Sequence, residues 1–103
     1  MNRIDRIRSM EERLDRAGKA VEDAWNAIEG YNAVLNDIKV LESYYISKQW
    51  MRDLEADEAG KLPADLKRGV LSEDGIFDLL EEAQGLNIEL AETLTRVIKK
   101  SGF

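Results

Sequence analysis

The chain has 103 residues, a net charge of −6, 44% hydrophobic and 35% charged residues, and no histidine or cysteine. This length suits a single domain over residues 1–103, and the regular spacing of its apolar residues argues against disorder. The acidic charge disfavours binding to nucleic acid. No apolar run is long enough to span a membrane. The N-terminal stretch lacks the apolar core of a signal peptide, so we expect a cytoplasmic protein.

The first predicted helix covers residues 2–43 and carries a heptad pattern. Two sets of side chains, which we call the heptad stripe, follow each other at spacings of three and four: Ile7, Leu14, Val21, Ile28 and Leu35 at the a positions, and Met10, Ala17, Ala24, Tyr31 and Ile38 at the d positions. Such a long 3.5-residue repeat favours supercoiling against a partner helix. Gly18 and Gly30 lie beside the stripe and cost about 1 kcal/mol each against alanine, which close approach of another helix would offset.

The second predicted helix covers residues 47–59, with Ser47 as its N-cap and Gly60 as its end. A short helical turn is expected over residues 63–68, because Pro63 suits a first helical position and Gly69 a stop.

The third predicted helix covers residues 72–100, starting at Ser72 as N-cap. Its apolar residues again recur at spacings of four and three. Acidic residues lead it and basic residues close it, as the helix dipole favours. The sequence therefore predicts an all-α three-helix bundle with a long heptad helix, a short second helix, a short helical turn and a long third helix. We expect the first and third helices to supply most of the core.

The stretch from Tyr44 to Glu82 has distinctive features. A tyrosine pair precedes Trp50, and the segments EADEAG, LP and LKRGVLSEDG follow. In these features, and over nearly its whole length, the chain resembles a bacterial family catalogued as domain of unknown function 4298. The resemblance implies a small bacterial cytoplasmic all-α protein. It transfers no catalytic residue, because the family has no assigned function.

Catalysis in the common nucleophilic or acid–base style is disfavoured, because the chain has neither histidine nor cysteine. Carboxylates at helical spacing are compatible with a hard-cation site, because their oxygen ligands suit Mg²⁺. The candidates on the second and third helices are Asp53, Asp57, Glu58, Asp78 and Glu81. A solvated acidic face explains them better, so we expect no metal and no cofactor. A small Mg²⁺-dependent all-α hydrolase is the alternative function.

The leading hypothesis is a non-enzymatic protein-interaction or structural module, with a homodimer through the heptad stripe as one form and an unnamed protein partner as the other. Aromatic residues beside a charged corner are typical of protein-binding surfaces. The candidate interaction residues are Tyr44, Tyr45, Trp50, Lys67, Arg68 and Gly75. For Gly75 we expect a close approach to its backbone, by one of the three aromatic side chains or by a partner. A nucleic-acid role for the arginines near the start ranks third, and no membrane partner is expected.

Overall fold

The computed structural model describes residues 2–103, and within that range all regular structure is helical. Helix α1 spans Arg3–Tyr45, α2 spans Lys48–Glu58, a 3₁₀ helix spans Gly69–Leu71 and α3 spans Gly75–Ser101. The predicted all-α class is confirmed, with its long first helix, short second helix, short helical turn and long third helix. None of the helices described over residues 2–103 combines the length and apolarity needed to cross a membrane.

The chain divides into two compact units at Asn36–Asp37, within α1. The first unit holds residues 3–36 of α1. Asn2 starts the helix, because its side-chain oxygen accepts a hydrogen bond from the Asp5 amide at 2.8 Å. Lys19 and Asp23, one turn apart, form an exposed ion pair of 3.0 Å. The large apolar side chains of the heptad stripe in this unit, from Ile7 to Leu35, are exposed, apart from Tyr31, which is half-buried.

The second unit, Asp37–Phe103, holds the end of α1, all of α2, the 3₁₀ helix and α3. Ser47 caps α2 as predicted: its hydroxyl accepts a hydrogen bond from the Trp50 amide at 3.2 Å. Gly60 ends α2 with a φ of 70°, and the next amide, that of Lys61, bonds to the Ala56 carbonyl at 3.0 Å. This left-handed glycine is the usual way to satisfy the last carbonyls of a helix.

The start of α3 differs from the prediction. The helix begins at Gly75, with Asp74 in the cap position, so Ser72 is not its N-cap. The short helical turn is also displaced from residues 63–68. A single turn closes between the Pro63 carbonyl and the Leu66 amide at 3.2 Å, and the 3₁₀ helix follows it. Gly69 therefore begins the helical turn instead of ending one.

The core lies where the 3₁₀ helix meets α3. Among residues 2–103 the buried apolar side chains are Leu71, which is 8% exposed, and Ile76, which is 3% exposed. Leu80 and Ala83 continue the same face of α3 and are half-buried. The expectation that the first and third helices supply most of the core is therefore wrong for the first helix. The 3₁₀ helix contributes to the core instead of α1, because its Leu71 side chain is buried together with Ile76 at the start of α3.

Candidate interaction site

The corner from Tyr44 to Gly75 holds the predicted interaction residues, and its contacts start at the end of α1. The Tyr44 hydroxyl donates to Asp53 Oδ2 of α2 at 2.6 Å, and Gln49 Nε2 donates to Asp53 Oδ1 at 3.0 Å. The bond to the carboxylate, then burial and the negative charge, raise the pKa of Tyr44 to about 12. The same bond, followed by that from Gln49, lowers the pKa of Asp53. The pair joins α1 to α2.

Tyr45 and Trp50 form the second contact of the corner. Their rings meet edge to face, with centroids 5.0 Å apart and an interplanar angle of 70°. The Trp50 indole Nε1 donates to the Val70 carbonyl of the 3₁₀ helix at 2.9 Å. Edge-to-face aromatic pairs add about 0.5–1.5 kcal/mol beyond the area that they bury. Trp50 thus connects α1 and α2 to the 3₁₀ helix.

Arg68 and Lys67, the two predicted cationic residues, differ in role. Arg68 Nη1 lies 2.7 Å from Asp57 Oδ1, and their side chains are 34% and 25% exposed. Arg68 Nη2 also donates to the Ala64 carbonyl at 3.5 Å. Lys67 instead lines an apolar groove of about 460 Å³, beside Leu41 and Gly75. Arg68 is therefore a structural tie from the loop to α2, and Lys67 lies at a surface groove.

Gly75 has the close approach to its backbone that the sequence predicts, but the group that approaches it is different. A Cβ at Gly75 would overlap the Gly69 carbonyl oxygen and lie 2.7 Å from Ser72 Oγ. Ser72 Oγ donates to that carbonyl at 2.7 Å and accepts from the Gly75 amide at 3.0 Å. The expectation that Tyr44, Tyr45 or Trp50 covers Gly75 is thus replaced by contact with the 3₁₀ helix.

The carboxylate candidates are dispersed. Asp53 is bonded to Tyr44 and Gln49, Asp57 is paired with Arg68, and Glu58 is exposed at the end of α2. Asp78 and Glu81 lie together with Glu82 on an exposed patch of α3. Within residues 2–103, the structure contains no group of three or more acidic side chains arranged to hold a metal ion. The five candidates therefore do not form one centre.

A second cavity lies between the end of α1 and the start of α3 and has a volume of about 630 Å³. Its walls are partly apolar and partly acidic, and they include Ile38, Phe77 and Leu80 with the carboxylates of Glu42 and Glu81. Sequence reasoning did not predict this cavity, because it depends on how two distant segments of the chain approach each other.

The heptad stripe is an exposed apolar face of the first unit. Leu14 is 65% exposed and Val21 is 58% exposed, although both lie at a positions. Trp25, beside the stripe, is 64% exposed. Large apolar side chains at regular spacing on one helix face are typical of a surface that packs against another helix.

Comparisons with known proteins give a single result. Neither the curated proteins nor the solved structures include a match to this chain. The family model described as "Domain of unknown function (DUF4298)" matches residues 7–93. The match covers α1 from its second turn, the whole corner and most of α3, and the chain therefore belongs to the DUF4298 family.

Proposed function

We propose that the protein is a non-enzymatic interaction module that self-associates through the heptad stripe of α1. The observation that carries the proposal is the exposure of that stripe over residues 3–36. At about 1.5 Å per residue and a helix width of about 10 Å, this face measures roughly 500 Å². A patch of that size lies at the upper end of what monomers leave exposed. Ile4 and Val34, which flank the stripe, bring it nearer to the roughly 800 Å² per partner of a standard interface.

The corner supports this proposal by its own contacts. Tyr44, Trp50 and Arg68 direct their polar atoms to groups of the same chain. These bonds hold the ends of α1 and α2 and the 3₁₀ helix in one arrangement. Hot-spot residues of interfaces are usually aromatic or arginine side chains that a partner desolvates. Here the same residue types stabilise the corner, and the stripe is the better candidate for the interface.

The test compares two alanines of α1. Ala24 occupies a d position in the stripe, whereas Ala33 lies at an f position on the opposite face, and both are exposed in a single chain. Ala24→Glu places a carboxylate in the interface and should weaken dimerisation by about 100-fold or more. Ala33→Glu makes the same change of residue and charge and should leave dimerisation unchanged.

Sedimentation equilibrium over micromolar to millimolar concentrations, with circular dichroism to confirm helix content, measures both effects. A wild-type chain that remains monomeric throughout this range would show that the proposal is wrong. Equal behaviour of the two variants would show that the stripe is not the interface.

A further inference from the structure

We infer that the partner of the heptad stripe is a second copy of the same chain in antiparallel orientation, with the twofold axis passing between Glu22 and Asp23. The inference rests on the proposed self-association and names the partner and its direction. Symmetric dimers are the commonest homo-oligomers, and their two chains present the same surface to each other. Two helices can satisfy such symmetry in parallel or antiparallel, and three features of the first unit distinguish the two arrangements.

The first feature is the sequence of side-chain sizes along the stripe. In a parallel pair, each layer contains the same residue twice, so Ala17 and Ala24 would form two thin layers. In an antiparallel pair about the stated axis, each a position meets a d position. Ala17 then faces Ile28 of the second copy, and Ala24 faces Val21. Pairing small with large residues gives layers of even thickness without cavities, which well-packed interfaces require.

The second feature is the pair Gly18 and Trp25, which share the e edge of the stripe. A twofold axis perpendicular to the helices brings this edge against the same edge of the second copy. Trp25 of one copy then lies over Gly18 of the other, and symmetry makes this contact twice. A Cβ at Gly18 has nothing within 4 Å in the single chain, so the space beside it is open. Trp25 is 64% exposed and has the size to fill that space. In a parallel pair, Gly18 would instead lie near Arg13.

The third feature is the charge of the two halves. Residues 1–20 carry six basic and four acidic side chains, a net charge of +2. Residues 21–36 carry three acidic side chains and no basic one, a net charge of −3. An antiparallel pair sets each basic half beside an acidic half, whereas a parallel pair sets like beside like. Of the acids near the axis, Asp23 is already paired with Lys19 at 3.0 Å. Complementary charge thus favours the antiparallel direction.

The experiment uses spin labels on the full chain, which has no cysteine of its own. Glu12→Cys and Asn26→Cys each place one label at an exposed f position, away from the stripe. At about 1.5 Å per residue, the antiparallel dimer separates the two labels along the helix axis by about 32 Å for Glu12→Cys and about 11 Å for Asn26→Cys. We therefore expect the Glu12→Cys dimer to give a clearly longer distance by pulsed electron resonance. In a parallel dimer, the two variants give the same distance.

Sedimentation on the labelled samples separates the outcomes. A dimer with equal label distances would overturn the antiparallel arrangement and leave self-association standing. A monomer would overturn both, and an assembly larger than two copies would overturn the pairing.

A glycine pair supplies an independent check. Gly18→Leu fills the space proposed for Trp25 and should weaken dimerisation by about tenfold or more. Gly30→Leu makes the same change at a c position outside the interface and should leave dimerisation within about twofold. Equal dissociation constants for the two variants would contradict the predicted contact between Gly18 and Trp25.

Discussion

Replacing Gly75 by alanine tests whether the 3₁₀ helix and α3 are packed as the structure shows. At an open helical site, this replacement stabilises a protein by up to about 1 kcal/mol, because alanine loses less backbone entropy on folding. At Gly75 the added methyl group would overlap the Gly69 carbonyl oxygen and lie 2.7 Å from Ser72 Oγ, where ordinary contacts are at least 3.4 Å. The sign of the effect should therefore reverse.

The magnitude follows from what must move. Relief requires the Gly69 carbonyl to separate from the start of α3, which breaks the two hydrogen bonds of Ser72 Oγ, at 2.7 and 3.0 Å. Each such bond contributes about 1 kcal/mol. Forcing a methyl group into a packed site costs about 1–3 kcal/mol by itself. After the entropy gain of up to about 1 kcal/mol is subtracted, we expect Gly75→Ala to lower the free energy of unfolding by about 2–4 kcal/mol.

Gly85→Ala is the matched control, because Gly85 lies inside the same helix and a Cβ there has nothing within 4 Å. It should stabilise the protein by about 1 kcal/mol. Urea unfolding followed by Trp50 fluorescence, on a Trp25→Phe background, reports on the corner alone, because the chain has two tryptophans. If Gly75→Ala stabilises the protein as Gly85→Ala does, the close packing of Gly75 against the 3₁₀ helix is wrong.

Three further measurements address the corner. Arg68→Gln should lower the free energy of unfolding by about 1 kcal/mol, because it removes the partner of Asp57. The neighbouring Lys67→Gln should change it by less than about 0.5 kcal/mol. Equal losses of the two variants in urea unfolding would contradict a stabilising Arg68–Asp57 ion pair. Ultraviolet titration should show Tyr44 ionising near pH 12 and Asp53→Asn returning its pKa towards about 10. The Tyr44–Asp53 bond contributes fully to the free energy of unfolding above the ordinary pKa of Asp53. This contribution is lost as pH falls through the lowered pKa of Asp53 in the folded protein. At high pH the same contribution is present below about pH 10, the ordinary pKa of tyrosine, and is lost as pH rises towards 12. A free energy of unfolding that does not change with pH in either range would argue against the bond. Millimolar Mg²⁺ should leave the unfolding temperature unchanged, because the carboxylates of Asp53 and Asp57 already have partners in this chain. A clear rise in the unfolding temperature would favour the hydrolase alternative.

The features that the sequence predicts well depend on neighbouring residues. Ser47 caps α2 because a hydroxyl reaches the amide three residues later within one turn. Gly60 ends α2 because the left-handed backbone conformation there favours glycine. The heptad stripe likewise follows from spacing within one helix. In each case the cause lies within a few residues of its effect, and the residue type alone indicates it.

The sequence predicts the start of α3 only in part. Ser72 accepts the bond from the Gly75 amide that its N-cap pattern indicates, but its hydroxyl also donates to the Gly69 carbonyl, and α3 starts three residues later. Other features that the sequence does not predict depend on distant contacts. The bond from Trp50 to the Val70 carbonyl joins residues 20 apart in sequence. Tyr44 and Asp53 show no local signal of their pairing. Propensity identifies the residue types of the corner, and only the packed arrangement decides which of them meet.

Glycines inside helices show why a single residue type needs two different explanations. Gly75 is required within the chain, because the 3₁₀ helix occupies the place of a side chain. A Cβ at Gly18 would meet nothing within 4 Å, so alanine would stabilise the isolated α1 by about 1 kcal/mol. Among residues 2–103, no contact at the Gly18 Cβ position offsets that loss. The antiparallel pair does so, because it places Trp25 of the second copy in that space. The same reasoning gives Gly30 no such role, and Gly30→Ala should raise helix stability without altering dimerisation, whereas Gly18→Ala should raise helix stability and weaken the dimer.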